Sequence, residues 1–389
     1  MNFTALAGLL SLAVAMGIGR FAFTPVLPLM LGEHQLDVAA AGWVAAANYA
    51  GYLVGAMTAA KVKLRAGWLG VAALLATALL TAAMALPGVG LWVVLRFAAG
   101  VASAWAFVAT SVWCLGALAQ QGRGDLGGLV YSGVGVGIAG TGLYCLVAVT
   151  AGVAAPSLWM QLGALALVVA LPAMAGAGKA NAGVPAGSGQ PAGAGKAPKG
   201  LVWCYGIMGF GYILPATFLP VMARSVVQDA HLFGLAWPVF GATAALSTFF
   251  AAAWMRRTSR LAVWSTCQLA MGVGVLLPSL WLALWTIALS ALLVGGTFMV
   301  ITLAGVQEIR ARVPHQPAAA VGRMTAAFAA GQIAGPVASS LLLHVPGFAR
   351  SGLDIALQAA AASLLLSGAW LARQVHKNIS TKPEVAHVR

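Results

Sequence analysis

The chain has 389 residues, of which 61% are hydrophobic and 7% are charged, with a formal net charge of +14. Soluble domains carry about 25% charged residues, so a soluble fold of this length could not cover its surface. The apolar stretches are long and continuous, which indicates membrane-spanning helices rather than the alternating strands of a barrel. The basic residues sit in short loops between these stretches, so the charge does not indicate a nucleic-acid partner.

Twelve segments are long and apolar enough to cross the ~30 Å hydrocarbon layer as helices. They are predicted at residues 4–30, 39–59, 68–86, 90–118, 127–152, 156–176, 201–223, 231–254, 261–278, 280–307, 318–343 and 351–373. The segments at 68–86, 261–278 and 280–307 are the weakest as separate spans. The predicted fold class is an all-α membrane protein of twelve transmembrane helices.

Residues 175–200, AGAGKANAGVPAGSGQPAGAGKAPKG, have a different composition from the rest of the chain. They hold no acidic residue and no large apolar side chain, which is typical of a flexible linker. We expect them to separate an N-terminal six-helix half, 1–174, from a C-terminal six-helix half, 201–373, with a cytoplasmic tail at 374–389.

The distribution of lysine and arginine predicts the orientation in the membrane. With a cytoplasmic N-terminus, sixteen basic residues lie in cytoplasmic loops or the tail, and only Arg224 and Arg350 lie in loops on the opposite side. We therefore expect a multi-pass protein of the bacterial inner membrane with both termini in the cytoplasm.

The two halves contain a similar sequence. MGIGRFAFTPVLPLM at 16–30 aligns with MGFGYILPATFLPVM at 208–222, and IAG at 138–140 aligns with IAG at 333–335. Each half has an even number of spans, so the repeats have the same topology. Parallel repeats about an axis along the membrane normal are an arrangement found among secondary transporters.

Several motifs resemble those of the major facilitator superfamily over nearly the whole chain. GAMTAAKVKLR, after span 2, is similar to the basic loop of that family without its aspartate, and LRFAAGVASA is similar to its span 4 pattern. Gly322, Gly331, Gly335 and Pro336 resemble the antiporter glycine-proline pattern, displaced from span 5 to span 11. GRFAFTPVLPLM, GWVAAANYAGYLVGA and GRMTAAFAAGQIAGP together resemble the YbfB/YjiJ-type subfamily. The resemblance implies two pseudo-symmetric six-helix halves, alternating access and a small-molecule substrate.

Arg20 lies in the middle of span 1, where a charge costs roughly 2.5–3.5 kcal/mol on insertion scales. The resemblance implies that span 1 lines the central cavity. Arg20 can therefore pair with an anionic substrate, because a guanidinium forks onto a carboxylate. The alternative is a structural arginine satisfied by backbone carbonyls or by span 5. One central cation suits a monocarboxylate or a zwitterion better than a dianion.

Other polar side chains within spans are candidates for the same cavity, because polar groups facing lipid are costly. Asn48 either binds the substrate or bonds to a neighbouring helix. The remaining candidates for substrate binding are Thr24, Tyr49, Tyr52, Tyr131, Tyr212 and Gln332.

Residues in loops, residues near the ends of spans and the glycine-proline pattern of span 11 are candidates for gating or coupling. Arg96 acts near the cavity or in proton coupling, or else extends to the external interface. None of the seven acidic residues lies at the centre of a span, so coupling uses an edge group such as Asp125, Glu308 or Asp354, the substrate carries the proton, or the protein is a uniporter. The full set of gating and coupling candidates is Lys61, Arg65, Arg96, Asp125, Glu308, Gly331, Gly335 and Pro336.

The predicted function is a monomeric secondary transporter of a small organic solute, with an anion favoured and proton-coupled efflux suggested by the glycine-proline pattern. One alternative is an exporter of drugs or amphiphiles in which Phe21, Phe23, Trp105 and Tyr212 form an apolar cavity and Arg20 is structural. Another is a non-transporting sensor on the same fold, which should carry a soluble output domain. No P-loop, metal-spaced cluster or nucleophile signature is present, so we expect no enzymatic activity, cofactor or metal.

Overall fold

The computed structural model describes residues 2–180, 198–227, 229, 232, 234–313, 317–344 and 352–380. Over these residues the chain folds into twelve long helices. The helices are numbered in chain order. They are α1 Phe3–Gly32, α2 Val38–Thr58, α3 Ala66–Ala83, α4 Val89–Gln120, α5 Gly127–Thr150, α6 Ala155–Ala180, α7 Lys199–Val226, α8 Ala236–Arg257, α9 Arg260–Leu280, α10 Leu284–Arg312, α11 Pro317–His344 and α12 Gly352–Ser380.

The twelve helices correspond to the twelve predicted spans, and the three weakest predictions are separate helices α3, α9 and α10. Eleven of the helices are long and apolar enough to cross a membrane. The remaining helix, α2, has 21 residues and is less apolar because it carries Asn48, Tyr49 and Tyr52. Those polar residues face the interior of the bundle, where all three are buried.

Local sequence signals determine several helix starts. The Asp37 side chain caps α2 by accepting a hydrogen bond from the Ala40 N–H at 2.7 Å, and the Ser259 side chain caps α9 in the same way. Such caps satisfy N–H groups that have no partner inside the helix. Before α4, Gly88 follows Pro87 with φ of +125°, a conformation that a side chain would strain.

Helix α1 is not continuous. An α-helix over Phe3–Leu12 leads into a π-helix over Ala13–Ile18, and a second α-helix begins at Phe23. In the turn between them, the Thr24 N–H bonds to the carbonyl of Phe21 rather than to that of Arg20, and the next residue, Pro25, has no N–H. The break therefore leaves carbonyl groups beside Arg20 that need partners from elsewhere.

Helix α6 continues to Ala180, and α7 begins at Lys199, so both extend into the segment predicted as a linker. Residues 181–197 lie outside the described residues, as does the tail beyond residue 380. Within the first half, α1 and α5 approach so closely that a Cβ on Gly17 would lie 2.3 Å from the carbonyl carbon of Gly137. The equivalent Gly209 in α7 makes the same kind of approach to the Phe328 carbonyl in α11, which supports the predicted repeat.

Over the described residues, the most extensive contacts between the two halves are those of α1 with α7, α2 with α11 and α5 with α8. We call the end of the bundle that holds Phe3 the terminal end, and the opposite end, which holds Gly32, the distal end. Close contacts between the halves occur in the middle of the bundle, where Gly135 meets Ala245, and at the distal end, where Gly32 meets Arg224. We call the contacts between halves from the middle of the bundle to this end the distal contact.

Candidate functional site

Arg20 lies at the break in α1, in the middle of the bundle, and only 2% of it is exposed. Its Nη2 donates a hydrogen bond to the Oε1 atom of Gln332 in the opposite half. Its Cζ lies 3.8 Å from the ring centroid of Tyr52 and 5.6 Å from that of Tyr49. Aromatic faces stabilise a cation without neutralising it.

No carboxylate lies within ion-pair distance of Arg20 in the part of the chain that the structure describes. The Nε atom of Arg20 is buried and makes no hydrogen bond to any of these residues. The guanidinium of Arg20 therefore has no counter-charge among these residues and has an unused donor in a buried position, to which an anion can bind.

Arg96, from α4, stabilises the break in α1. Its Nη1 donates to the Gly19 carbonyl at 3.0 Å, and its Nη2 donates to the Arg20 carbonyl. These are the two carbonyl groups that the break releases from helix bonding. Arg96 is 3% exposed, so its side chain does not extend to the interface. The contact positions the backbone of Arg20.

Asn48 bonds to a neighbouring helix. Its Nδ2 donates to the Arg96 carbonyl at 2.9 Å, while its Oδ1 is buried without a hydrogen-bond partner among the described residues. A glycine makes this approach of α2 to α4 possible, because a Cβ on Gly100 would lie 2.1 Å from the Asn48 carbonyl oxygen. The structure thus shows Asn48 in a helix contact, and its role in substrate binding stays a prediction.

Polar contacts join the halves beside Arg20. The Thr24 hydroxyl donates to the Ala216 carbonyl at 2.7 Å. The Tyr49 hydroxyl lies 3.0 Å from the Oγ1 atom of Thr217, which donates its own proton to a carbonyl and so accepts from Tyr49. The sequence suggests each of these polar residues on its own, but their partners lie 192 and 168 residues away, beyond the reach of any local spacing rule.

Gln332 links both halves. Its Oε1 accepts from Arg20, and its Nε2 donates to the hydroxyl of Tyr212 in α7. Gln332 is fully buried and Tyr212 is 1% exposed. Three predicted substrate-binding residues, Arg20, Gln332 and Tyr212, therefore form one connected group.

A row of aromatic rings extends from this group through the C-terminal half. Tyr212 stacks between Phe298, at a centroid distance of 5.3 Å, and Phe328, at 5.7 Å. The row continues on both sides through Phe240, Trp237, Tyr205 and Trp264, and Trp237 returns to Phe21 beside Arg20 at 6.0 Å. The sequence does not identify most of these rings as part of the site, because they lie on separate helices from α7 to α11 and become neighbours only in the folded bundle.

The other residues predicted to line the cavity make their contacts with residues other than Arg20. The Tyr131 hydroxyl lies 3.1 Å from that of Ser111, and its ring packs against Phe107. Phe23 packs against Arg96 rather than Arg20. The Trp105 ring nitrogen donates to the Thr58 hydroxyl on α2.

The predicted gating residues other than Arg96 lie in several different places. Gly331 and Gly335 lie where α11 packs closely against α7, and the Pro336 carbonyl lies close to Gly42 of α2. Their predicted role in gating stays a prediction. Glu308 pairs with Arg312 at 2.7 Å within α10. Lys61 and Arg65 are exposed at the terminal end, and the Asp125 side chain lies outside what the structure describes.

Comparisons with known proteins agree with this architecture. Residues 12–372 match the family model described as an uncharacterised MFS-type transporter, YbfB. The chain belongs to this family of major facilitator transporters. It is therefore a multi-pass membrane protein and a secondary transporter rather than an enzyme, as the motifs predicted.

Solved structures show the same fold at low sequence identity. A point mutant of the nucleoside transporter NupG is 13% identical, with a TM-score of 0.74 over 96% of this chain and 99% of that one. A bacterial homologue of the lysosomal transporter Spinster, in an inward-facing and occupied conformation, is 14% identical, with a TM-score of 0.70 over 96% and 97%. No curated protein matches the chain.

Proposed function

We propose that this transporter moves a small organic monoanion, or a zwitterion with a free carboxylate, that binds at Arg20. The observation that supports the proposal is the guanidinium of Arg20, which is 2% exposed and hydrogen bonded to a neutral amide. A buried charge is costly unless it is paired. A substrate carboxylate would supply that pair through two parallel hydrogen bonds.

The rings around Arg20 favour a solute with an apolar or aromatic body. Phe21, Tyr49 and Tyr52 surround the guanidinium, and the stacked rings at Tyr212 continue from it into the other half. One cation among aromatic faces suits a carboxylate attached to a flat or apolar group better than a sugar or a polyanion.

The excess of lysine and arginine in the loops at the terminal end supports a cytoplasmic location for that end. The named contacts between halves lie from the middle of the bundle to its distal end, which suits a state that opens toward the cytoplasm. We propose efflux on the glycine-proline pattern of α11. The acidic residues lie outside the span centres, so a proton that accompanies the solute would travel on the solute's own carboxyl group.

Both halves belong to one chain, so one copy holds the complete site. We propose that the protein acts as a monomer in the bacterial inner membrane, with both termini cytoplasmic.

The test is a thermal-shift measurement on purified protein with matched carboxylates and carboxamides, namely benzoate against benzamide and lactate against lactamide. A ligand that binds the folded state raises the Tm with increasing concentration. We expect a carboxylate to raise the Tm of wild type and of the exposed-arginine control Arg256→Gln, and to lose this effect in Arg20→Gln. Equal effects of carboxylate and carboxamide, or a carboxylate effect that survives Arg20→Gln, would contradict the proposal.

A second candidate function is the export of apolar cations or amphiphiles. The row of aromatic rings from Trp237 to Trp264 favours it, because such rings bind flat apolar molecules. Tetraphenylphosphonium in the same assay distinguishes the two functions. Stabilisation by this cation that persists in Arg20→Gln would favour the exporter and assign Arg20 a structural role.

A further inference from the structure

Gln332 occupies the position on Arg20 that a ligand carboxylate needs. Its amide oxygen accepts from Nη2 of Arg20, and no carboxylate is within ion-pair distance of that guanidinium among the residues described. The same amide donates to the Tyr212 hydroxyl. One neutral side chain on α11 therefore holds the cation of α1 and the phenol of α7 at the same time.

A carboxylate would compete with Gln332 for this donor. The Arg20–Gln332 bond has a charged donor but a neutral acceptor, whereas a carboxylate adds the attraction of opposite charges and can accept from two guanidinium nitrogens at once. The Nε atom of Arg20, which has no hydrogen-bond partner among the described residues, provides the second donor. A ligand carboxylate can therefore displace the amide.

The displaced bond is one of the contacts that hold the halves together. The other named polar contacts between halves are Thr24 to Ala216, Tyr49 to Thr217, and Ser340 to Ala39, and all of them are neutral. The bond from Arg20 to Gln332 is the one with a charged donor, so its loss weakens the distal contact most.

We propose that Gln332 determines the charge selectivity of the site and couples ligand binding to the contact between halves. Its neutral oxygen keeps Arg20 in place without cancelling its charge, and an anionic ligand releases it. The inference rests on the proposed function, in which Arg20 binds an anion.

Two variants of similar size test the inference. Gln332→Glu places a carboxylate beside Arg20, which closes the contact with an internal ion pair. Gln332→Met removes both hydrogen bonds and keeps the side-chain length. The reporter is Ser340→Cys, because Ser340 is fully buried where α11 meets α2 at the distal contact, and the four native cysteines are also buried. A water-soluble maleimide labels this cysteine only when the halves separate there.

Without ligand, we expect the labelling rate to be about tenfold higher in Gln332→Met than in the Ser340→Cys parent, and lower than the parent in Gln332→Glu. With benzoate, the parent should label faster and gain thermal stability, whereas benzamide should do neither. In Gln332→Glu, the apparent affinity for benzoate should fall about tenfold to a hundredfold.

The measurements without ligand and those with benzoate distinguish a failure of this inference from a failure of the proposed function. Equal labelling rates in the three proteins without ligand, or the reverse order, would overturn the inference whatever benzoate does. Undiminished benzoate binding in Gln332→Glu would overturn it as well. If no carboxylate binds the parent but the unliganded rates keep the expected order, the role of Gln332 in holding the halves is supported and the anion proposal fails.

Discussion

Replacing Arg96 with glutamine should destabilise the protein through the break in α1. Arg96 donates to the carbonyls of Gly19 and Arg20, which have no other hydrogen-bond partner in the break. Removing the donor leaves each of the two buried carbonyls unpaired, which costs about 1–3 kcal/mol per carbonyl, or roughly 2–6 kcal/mol together. Removing the buried charge of Arg96 offsets part of this loss, which leaves a net destabilisation of about 3 kcal/mol.

The assay is thermal unfolding in detergent, with Arg256→Gln as the matched control because Arg256 is exposed on α8. A change of 1 kcal/mol moves the Tm by about 2–4 °C in domains of 150–250 residues and by less in longer chains. We therefore expect Arg96→Gln to lower the Tm by roughly 5 °C, Arg96→Lys by about half as much, and Arg256→Gln hardly at all.

Two results would refute this reasoning. If Arg96→Gln unfolds at the wild-type temperature, the carbonyls of the break do not depend on Arg96. If it keeps its stability but loses transport, then Arg96 acts in the transport cycle, which was the other role predicted for it from the sequence.

Further predictions follow from single contacts. Gly100→Ala should lower the Tm by several degrees, because its Cβ would lie 2.1 Å from the Asn48 oxygen, whereas Gly116→Ala on the same helix meets nothing within 4 Å and should be neutral or slightly stabilising. In the Ser340→Cys protein, Tyr49→Phe should raise the rate of maleimide labelling, because it removes a hydrogen bond between the halves. Tyr144→Phe should leave that rate unchanged, because it removes a hydrogen bond to Gln161 within one half. Equal labelling in the two variants would argue against a role for Tyr49 in the distal contact. Glu308→Gln should change the free energy of unfolding by less than about 0.5 kcal/mol, because its partner Arg312 is a neighbour on the same helix; a larger loss in thermal unfolding would indicate a contact beyond α10.

Much of the fold follows from the sequence because the membrane imposes it. A helix that crosses the hydrocarbon layer needs about 20 apolar residues, so the length of each apolar segment predicts its span. The repeat is also visible, since Gly17 and Gly209 lie at equivalent positions in α1 and α7. The cost of a buried charge similarly marks Arg20 as a residue with a special role.

The partners of the site residues could not be predicted in the same way. The break in α1 includes N–H groups that bond to the carbonyl five residues earlier instead of four, and it includes Pro25, which has no N–H. The two carbonyls that the break leaves without helix partners accept from Arg96, which lies more than seventy residues later. The bond from Arg20 to Gln332 joins opposite halves of the chain. Hydropathy and helical spacing describe one helix at a time, so they identify these residues without pairing them.

The proposed function requires that this major facilitator protein carries a small organic anion that binds at Arg20. The most direct test is counterflow of labelled benzoate in proteoliposomes that contain wild type, Arg20→Gln or the control Arg256→Gln. We expect benzoate preloaded inside to drive uptake of the label in wild type and Arg256→Gln but not in Arg20→Gln, and we expect preloaded benzamide to drive none. Counterflow of equal size in Arg20→Gln would contradict the claim.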